Sequence, residues 1–171
     1  EKQLIKKCFE HLCEDPNLVL SINLSSRDMI DGDVSALVLN LLNKHNVAGR
    51  IVFEIVEDEE LKSAERVSVF IERAKSMGAM IAIDDFGSGY SNYYRILELD
   101  IDNIKIDGSI IKKLPTDENA RVLVETIVSF ARRQGYKIVA EFVSNEEILE
   151  YIKKFGISYA QGFLLGKPHQ M

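Results

Sequence analysis

A short apolar stretch that ends in two aspartates and a glycine-containing loop decides the fold of this chain; it reads 79-AMIAIDDFGSGYS-91. The small and branched apolar residues over 79–84 predict a buried strand. Asp84 and Asp85 close that strand, and Gly87 and Gly89 permit a tight turn directly after them. The loop lacks the third glycine of a dinucleotide fingerprint and the Gly-Lys-Ser/Thr of a P-loop, so it matches neither of those nucleotide-binding motifs.

Strands and amphipathic helices alternate along the chain on both sides of this stretch. Strands are predicted at 18–23, 51–57, 79–84, 103–107, 137–141 and 158–164, and helices at 33–46, 59–77, 117–134 and from Ser144 to near Gly156. Ser144 and Glu147 have the spacing of a capping box, so Ser144 is predicted to cap the last helix. The alternation predicts an α/β fold with a mainly parallel sheet, either doubly wound or a barrel. A complete barrel needs roughly 250 residues, so this chain would form an incomplete one.

The composition is that of a single globular domain over residues 1–171. Lys and Arg number 21 and Asp and Glu number 27, which gives a formal charge of −6 and a pI of about 5.2. This balance argues against a protein that grips nucleic acid through a basic face. No apolar run approaches the ~18 residues of a membrane helix, and we expect a cytoplasmic domain, free or attached to a membrane protein. Cys8 and Cys13 lie on different faces of a helical stretch and are predicted to be separate thiols.

Polar side chains cluster at the C-terminal ends of the predicted strands. They are Asn23, Glu54, Glu57, Asp84, Asp85, Lys105, Asp107, Glu141 and Gln161. Any one of them alone would be explained as a cap of a strand end or of a helix. Because parallel α/β folds build their sites at the C-terminal edge of the sheet, the whole set predicts a functional site.

The charge of this set points to divalent cations. Five carboxylates of the set, with one lysine, are predicted to lie at one edge: Glu54, Asp84, Asp85, Asp107, Glu141 and Lys105. Like charges ~4 Å apart near a protein surface repel by roughly 4 kcal/mol. Oxygen ligands favour Mg²⁺, Mn²⁺ or Ca²⁺ over zinc, and the three histidines lack metal-ligand spacing. A carboxylate-bound metal pair that faces an anionic substrate predicts metal-assisted phosphoester hydrolysis.

Several short segments of the chain also match the motifs of one family in order. They are Ile22-Asn23-Leu24-Ser25, Glu54-Ile55-Val56-Glu57, Asp84 to Ser91, Lys105-Ile106-Asp107, Ala140-Glu141, and Gln161-Gly162-Phe163 with Lys167-Pro168. With these segments the sequence resembles the EAL domain, the family of bacterial cyclic di-GMP phosphodiesterases, over essentially its whole length. The resemblance implies a modified (β/α)8 barrel that hydrolyses cyclic di-GMP to pGpG with two Mg²⁺ or Mn²⁺ ions and is inhibited by Ca²⁺.

The resemblance further implies a role for each of the polar residues at the strand ends. The implied metal ligands are Asn23, Glu54, Asp84, Asp85 and Glu141, and the implied catalytic residues are Lys105, Glu54 and Asp107. Lys105 would orient or deprotonate the attacking water. Gln161 and Asp85 would contact the substrate, and Glu57 would anchor the loop that begins at Phe86. The implied partners are cyclic di-GMP and, in the parent protein, an upstream sensory or GGDEF domain, with no DNA.

The sequence departs from the family pattern at its start and near Glu141. Residues 1–171 contain no Glu-Ala-Leu motif and begin inside a helical pattern. We therefore expect a piece of a larger protein without the family's first strand, its metal-ligating Glu and a phosphate-binding Arg. Phe142 and Ser144 stand where the family usually has Gly and Glu, and Phe142 would either pack or narrow the site. Phe163 and Leu164 replace a pair that is commonly aromatic.

Three interpretations of the function stay open. The chain is an EAL phosphodiesterase with weak or no turnover in this form, a non-catalytic EAL domain that binds cyclic di-GMP or a protein, or another metal-dependent α/β hydrolase. A missing first strand would expose strand edges and apolar side chains. We therefore expect a homodimer or other self-association, unless the helix at residues 1–14 covers the gap.

Overall fold

The computed structural model describes residues 2–56, 64–89 and 93–167 of the protein. Its strands are β1 Leu20–Asn23, β2 Ile51–Val56, β3 Met80–Phe86, β4 Asn103–Ile106, β5 Lys137–Ala140 and β6 Tyr159–Ala160. Its α-helices are α1 Lys2–Glu14, α2 Ser26–Ile30, α3 Gly32–Lys44, α4 Ala64–Ser76, α5 Tyr93–Glu98, α6 Gly108–Ile111, α7 Glu118–Gln134 and α8 Glu146–Phe155. The helices α2, α5 and α6 have too few turns for a helical period to be recognised in the sequence.

The strands form one sheet in chain order, β1-β2-β3-β4-β5-β6. The pairs β1–β2, β4–β5 and β5–β6 are parallel, which confirms the predicted α/β fold with a mainly parallel sheet. A doubly wound sheet reverses its strand order at a switch point, whereas repeated βα units of a barrel place the strands in sequence. The observed order therefore matches the barrel-type alternative of the two predicted architectures.

One compact unit contains the described residues 2–56, 64–82 and 93–101. Helix α1 buries an apolar stripe that includes Phe9 and Leu12, and it packs against α3 and β1. The guanidinium group of Arg50 donates hydrogen bonds to the carbonyl oxygens of Leu12 and Asp15, each at 2.7 Å, and to that of Leu18 at 3.0 Å. Since carbonyls at a helix end otherwise lack partners, these bonds hold the C-terminal end of α1 in place.

The second compact unit contains residues 83–89 and 102–167. The Asp117 carboxylate caps α7 by accepting a 2.8 Å hydrogen bond from the backbone N–H of Asn119. Helices α7 and α8 both end at glycines in the left-handed region, Gly135 at φ 78° and Gly156 at φ 63°. Both helices therefore end where the sequence predicts, after residue 134 and near Gly156, because a left-handed residue is easiest for glycine.

The N-terminus of α8 corrects one prediction. Asn145, not Ser144, caps this helix: its side-chain oxygen accepts a hydrogen bond from the N–H of Ile148 at 2.9 Å. Asn145 has extended backbone angles, φ −152° and ψ 167°, which place its short side chain over the first turn. Glu147 then falls one position too early to close a capping box. The predicted cap was wrong by one residue because serine and asparagine cap equally well and stand side by side here.

Cys8 is half-buried, Cys13 is exposed, and both are free thiols, as the sequence predicts.

Among the helices that the structure describes, none is long and apolar enough to cross a membrane.

Candidate metal centre

The C-terminal part of β3 presents two adjacent carboxylates. Ile83 is fully buried and Asp84 and Asp85 follow it, both half-buried. Asp85 has a φ of 54°, in the left-handed region, and its N–H donates a 3.1 Å hydrogen bond to Asp84 Oδ1. Aspartate tolerates this backbone conformation better than most residues. The kink brings both carboxylates of the pair to the same place, whereas a regular strand would turn them to opposite faces.

The ammonium group of Lys105, on β4, joins two carboxylates from the neighbouring strands. Its Nζ lies 2.8 Å from Asp84 Oδ1 and 2.9 Å from Glu141 Oε1. Only 6% of Lys105 is exposed. A buried ammonium needs such partners, since the cost of removing it from water is otherwise several kcal/mol. Lys105 therefore neutralises part of the negative charge at this point.

Three carboxylates of this unit could hold a metal ion together. Asp84, Asp85 and Glu141 each offer an oxygen, and these oxygens lie within 4.8 Å of one another. Carboxylate oxygens are the ligands that Mg²⁺ and Mn²⁺ prefer. Three carboxylates against one lysine leave an excess of negative charge at the centre, so the donor set fits a hard divalent cation.

The pKa values of the carboxyl groups reflect this crowding. Burial raises the pKa of Glu141 above its usual value, although the hydrogen bond and charge of Lys105 oppose the shift. Burial also raises the pKa of Asp85, and the Asp84 charge and a hydrogen bond to Asp107 add to that shift. Because these folded-state values lie above the unfolded ones, stability falls as the pH rises through them. A bound cation would remove that cost.

Asp107 behaves differently because it is a helix cap. Its carboxylate accepts a 2.7 Å hydrogen bond from the N–H of Ser109 at the start of α6. Burial alone would raise its pKa, but the hydrogen bonds from the Ser109 side chain and backbone and from Asp85 lower it. The two shifts are opposite, so Asp85 is the member of the Asp85–Asp107 pair that takes up a proton first as the pH falls.

Gln161 lies beside Glu141 through a short backbone ladder. The Gln161 N–H donates to the Ala140 carbonyl at 2.8 Å, and the Val143 N–H donates to the Gln161 carbonyl at 2.9 Å. A pocket of about 190 Å³ opens here, lined by Glu141, Phe142, Gln161, Gly162, Phe163 and Gly166. Gln161 and Glu141 therefore line the same cavity.

Phe142 occupies the wall of this pocket in an unusual conformation. Its φ is 60° and 51% of the residue is exposed. The Lys112 Nζ sits 3.5 Å from the centre of the ring, and the Phe163 ring lies 6.4 Å away at a tilted angle. The ring packs against these neighbours, as one of the two alternatives predicts, and it also lines the cavity beside Glu141; that it narrows the site stays a prediction.

Replacing Gly162 with alanine is expected to lower the free energy of unfolding by about 3 kcal/mol. A Cβ atom at this position would overlap the backbone nitrogen and oxygen of Val143, so Gln161 and the strand end carrying Glu141 would have to move apart. Urea unfolding of Gly162→Ala measures the loss. Gly166→Ala is the matched control, since its Cβ would meet nothing within 4 Å. Equal unfolding midpoints for the two variants would contradict the prediction.

The first unit carries two more of the predicted site residues. Asn23 ends β1, Glu54 lies two residues before the end of β2, and the two are directly opposite each other in the parallel register. Asn23 is exposed, whereas only 9% of Glu54 is exposed. Glu57 and the loop residues Tyr90 and Ser91 lie outside the residues that the structure describes.

Three residues near the centre carry no catalytic signal in the sequence. Ser109 holds Asp107 through its hydrogen bonds, and the spacing Asp107-x-Ser109 is an ordinary capping pattern that could have indicated it. Lys112 reaches the Phe142 ring across a sequence distance at which no pattern applies. Gly162 lies against the backbone of Val143. These residues are distant in the sequence and come together only in the folded structure.

Comparisons with known proteins agree on one family. The family model of the EAL domain matches residues 1–168. A relative from Escherichia coli K12 named probable cyclic di-GMP phosphodiesterase PdeA is 31% identical over 171 residues, which cover 99% of this chain and 24% of the relative. MucR of Pseudomonas aeruginosa, named a bifunctional diguanylate cyclase/cyclic di-GMP phosphodiesterase, is 33% identical over 150 residues, 87% of this chain and 22% of that protein.

A solved structure shows the same fold. The complex of the PaMucR phosphodiesterase with c-di-GMP has a TM-score of 0.84 at 30% identity, over 98% of this chain and 68% of that one. The predicted fold class, an incomplete barrel of this type, is thereby confirmed. The chain spans about a quarter of the length of the two curated relatives.

Proposed function

The chain belongs to the EAL domain family, and on that premise we propose that residues 1–171 act as a single cyclic di-GMP signalling domain that hydrolyses cyclic di-GMP to pGpG. The observation that carries the proposal is the convergence of Asp84, Asp85 and Glu141 around one point, with Lys105 bound to two of them. The names of PdeA and MucR, and the c-di-GMP complex of PaMucR, support the choice of substrate.

Asp84, Asp85 and Glu141 would hold divalent cations, Mg²⁺ or Mn²⁺, and Ca²⁺ would inhibit. Asn23 and Glu54, paired in the register of β1 and β2, are proposed as further ligands, with Glu54 also catalytic. Bound cations would polarise the phosphodiester and make water a better nucleophile.

The other polar residues would act on the water and the substrate. Lys105, fixed by two carboxylates, would orient the attacking water and move its proton. Asp107 would support this group through its hydrogen bond to Asp85. Gln161 and Asp85 would contact the substrate in the cavity beside Glu141. Glu57 is proposed to anchor the loop after Phe86.

We expect slow hydrolysis of cyclic di-GMP, and a second function, binding without hydrolysis, is therefore a candidate beside it. Residues 1–171 contain no Glu-Ala-Leu motif, and the exposed Phe142 ring lines the cavity beside Glu141. A bulky ring at this position would also suit a domain that binds cyclic di-GMP without cleaving it. This receptor function is the alternative that Phe142 specifically favours.

One experiment separates the two functions. Binding of cyclic di-GMP is measured by calorimetry with Ca²⁺, and formation of pGpG is followed by chromatography with Mn²⁺. We expect binding, with turnover below ~1 s⁻¹, the low end of the ordinary enzyme range. Any pGpG formation should disappear in an Asp84→Asn/Asp85→Asn variant. Binding without pGpG would favour the receptor, and failure to bind with either cation would contradict both functions.

Divalent cations are expected to stabilise the protein through the carboxylates. A ligand that binds only the native state adds about 2.7 kcal/mol at 100 times its Kd. The Tm should therefore rise with Mg²⁺ or Mn²⁺, and the rise should shrink in Asp84→Asn/Asp85→Asn. Glu118→Gln/Glu125→Gln is the matched control, because it removes two exposed carboxylates of α7. An equal rise in all three proteins would mean that the cations bind elsewhere.

Self-association of residues 1–171 is also proposed. In the described sheet, β1 has a strand partner only in β2, and an open strand edge invites pairing with another chain. Light scattering tests the proposal: a monodisperse species of 19.4 kDa, the mass of one chain, across the micromolar range would rule it out. A sensory or diguanylate cyclase domain elsewhere in the parent protein, and a cytoplasmic location, are proposed on the family premise alone.

A further inference from the structure

An open groove lies in the first unit, formed by helices α2, α3 and α4. It encloses about 360 Å³ and is lined by Met29, Ile30, Gly32, Ser35, Leu39, Arg66, Val69, Phe70 and Arg73. None of these residues belongs to the carboxylate centre. The volume falls within the range of ligand-binding clefts, and the lining combines apolar side chains with a few charged groups, as such clefts do.

One face of α4 forms the charged wall of the groove. Arg66, Val69, Phe70 and Arg73 follow the i, i+3, i+4, i+7 spacing of a single helical face. The two arginines are two turns apart, about 10 Å along the axis. Between them, Val69 is 54% exposed. The wall therefore presents an apolar middle with a cation at each end.

The two guanidinium groups are available for a ligand. Both arginines are exposed, and between described residues no hydrogen bond or ion pair engages the side chain of either one. Two cations that line one apolar groove without such partners among the described residues form a local site for negative charge, since charges beyond about 8–10 Å are largely screened in physiological salt.

The base of the groove and its α3 side are formed by firmly packed residues, and the space between them stays open. Phe70 and Met29 are each only 3% exposed, and the Phe70 ring meets Phe53 edge-on at 5.9 Å. On α3, Gly32 and Ser35 are small, and a Cβ atom at Gly32 would meet nothing within 4 Å. The groove is therefore pre-formed, which lowers the cost of binding.

We propose that this groove is a docking site for an acidic amphipathic helix of a partner protein. A helix laid along α4 would place apolar side chains at its i+3 and i+4 positions over Val69 and Phe70. Acidic side chains at i and i+7 would then meet Arg66 and Arg73. Helix-in-groove recognition uses such apolar anchors, and arginine is enriched among the residues that dominate interface energies. A fatty acid carries a single carboxylate and would engage only one of the two cations.

The test uses a fluorescein-labelled 18-residue peptide with Leu at i+3 and i+4 and Glu at i and i+7, followed by fluorescence anisotropy. We expect saturable binding, weakened at least tenfold by Arg66→Glu/Arg73→Glu. A peptide with Lys in place of each Glu should prefer that variant over the unsubstituted protein. Lys113→Glu/Arg133→Glu makes the same change in charge at exposed positions of the other unit and should leave binding unchanged.

A steric variant separates the groove from general electrostatics. Gly32→Trp adds a large ring at a residue that lines the groove and whose Cβ atom would meet nothing within 4 Å. It should abolish binding, while circular dichroism and Tm show that the variant stays folded. Absence of peptide binding to the unsubstituted protein would overturn the proposal. Equal binding by the Arg66→Glu/Arg73→Glu protein, or complete displacement of the peptide by laurate at equal concentration, would overturn it as well.

Discussion

Replacing Lys105 with methionine is expected to lower the free energy of unfolding by about 3 kcal/mol without divalent cations, because one partner of a buried ion pair is lost. The Lys105 Nζ contacts both Asp84 and Glu141, and all three side chains are less than a fifth exposed. Methionine preserves most of the volume but leaves the carboxylates without their cation. Hydrolysis of cyclic di-GMP should fall by about 10²-fold or more, the usual contribution of a group that moves a proton.

The measurement is thermal unfolding in EDTA and then in Mn²⁺. For a chain of this size, 3 kcal/mol corresponds to a fall in Tm of about 6–12 °C. Mn²⁺ should raise the Tm of Lys105→Met by more than that of the unsubstituted protein, since a cation now replaces the missing ammonium charge. Lys113→Met, at an exposed position, is the matched control. A Tm in EDTA that matches the control would show that Lys105 does not hold the carboxylates together.

Much of this centre could be predicted because it follows from strand direction. Asp84 and Lys105 lie on β3 and β4, and Glu141 directly follows β5, in a sheet whose strands are in chain order. Parallel strands bring their C-terminal ends to one edge. The direction and order of the strands are therefore enough to predict that these side chains lie close together. The acidic excess of the set likewise predicts a cation site from charge alone.

The remaining features depend on side-chain reach and on local competition. Nothing in the spacing shows that Lys105 would bind two carboxylates at once, since a long flexible side chain can point in several directions. The choice of Asn145 over Ser144 as the cap of α8 rests on small energy differences between two good capping residues. Lys112 reaches Phe142 only because α6 is followed by a turn, which periodicity does not detect.

Replacing Phe142 with glycine is expected to raise cyclic di-GMP turnover by about tenfold, a change of about 1.4 kcal/mol in the barrier. The ring lines the cavity that Glu141 and Gln161 also line, so we expect its removal to give the phosphodiester more room there. Stability should change by no more than about 1 kcal/mol. Relief of the left-handed backbone at φ 60° favours glycine, whereas loss of the contact with Lys112 opposes it.

Phe142→Leu is the control that separates bulk from backbone strain. Leucine keeps a large side chain and the unfavourable φ but loses the aromatic contact with Lys112, so it should be less stable than the glycine variant and no faster. Turnover is measured by chromatography of pGpG with Mn²⁺, and affinity by calorimetry with Ca²⁺. If the ring only narrows the site, Phe142→Gly gains turnover at unchanged or weaker affinity. If turnover stays unchanged while affinity falls sharply, the ring is instead a binding surface for cyclic di-GMP, and the receptor function is the better account of this chain.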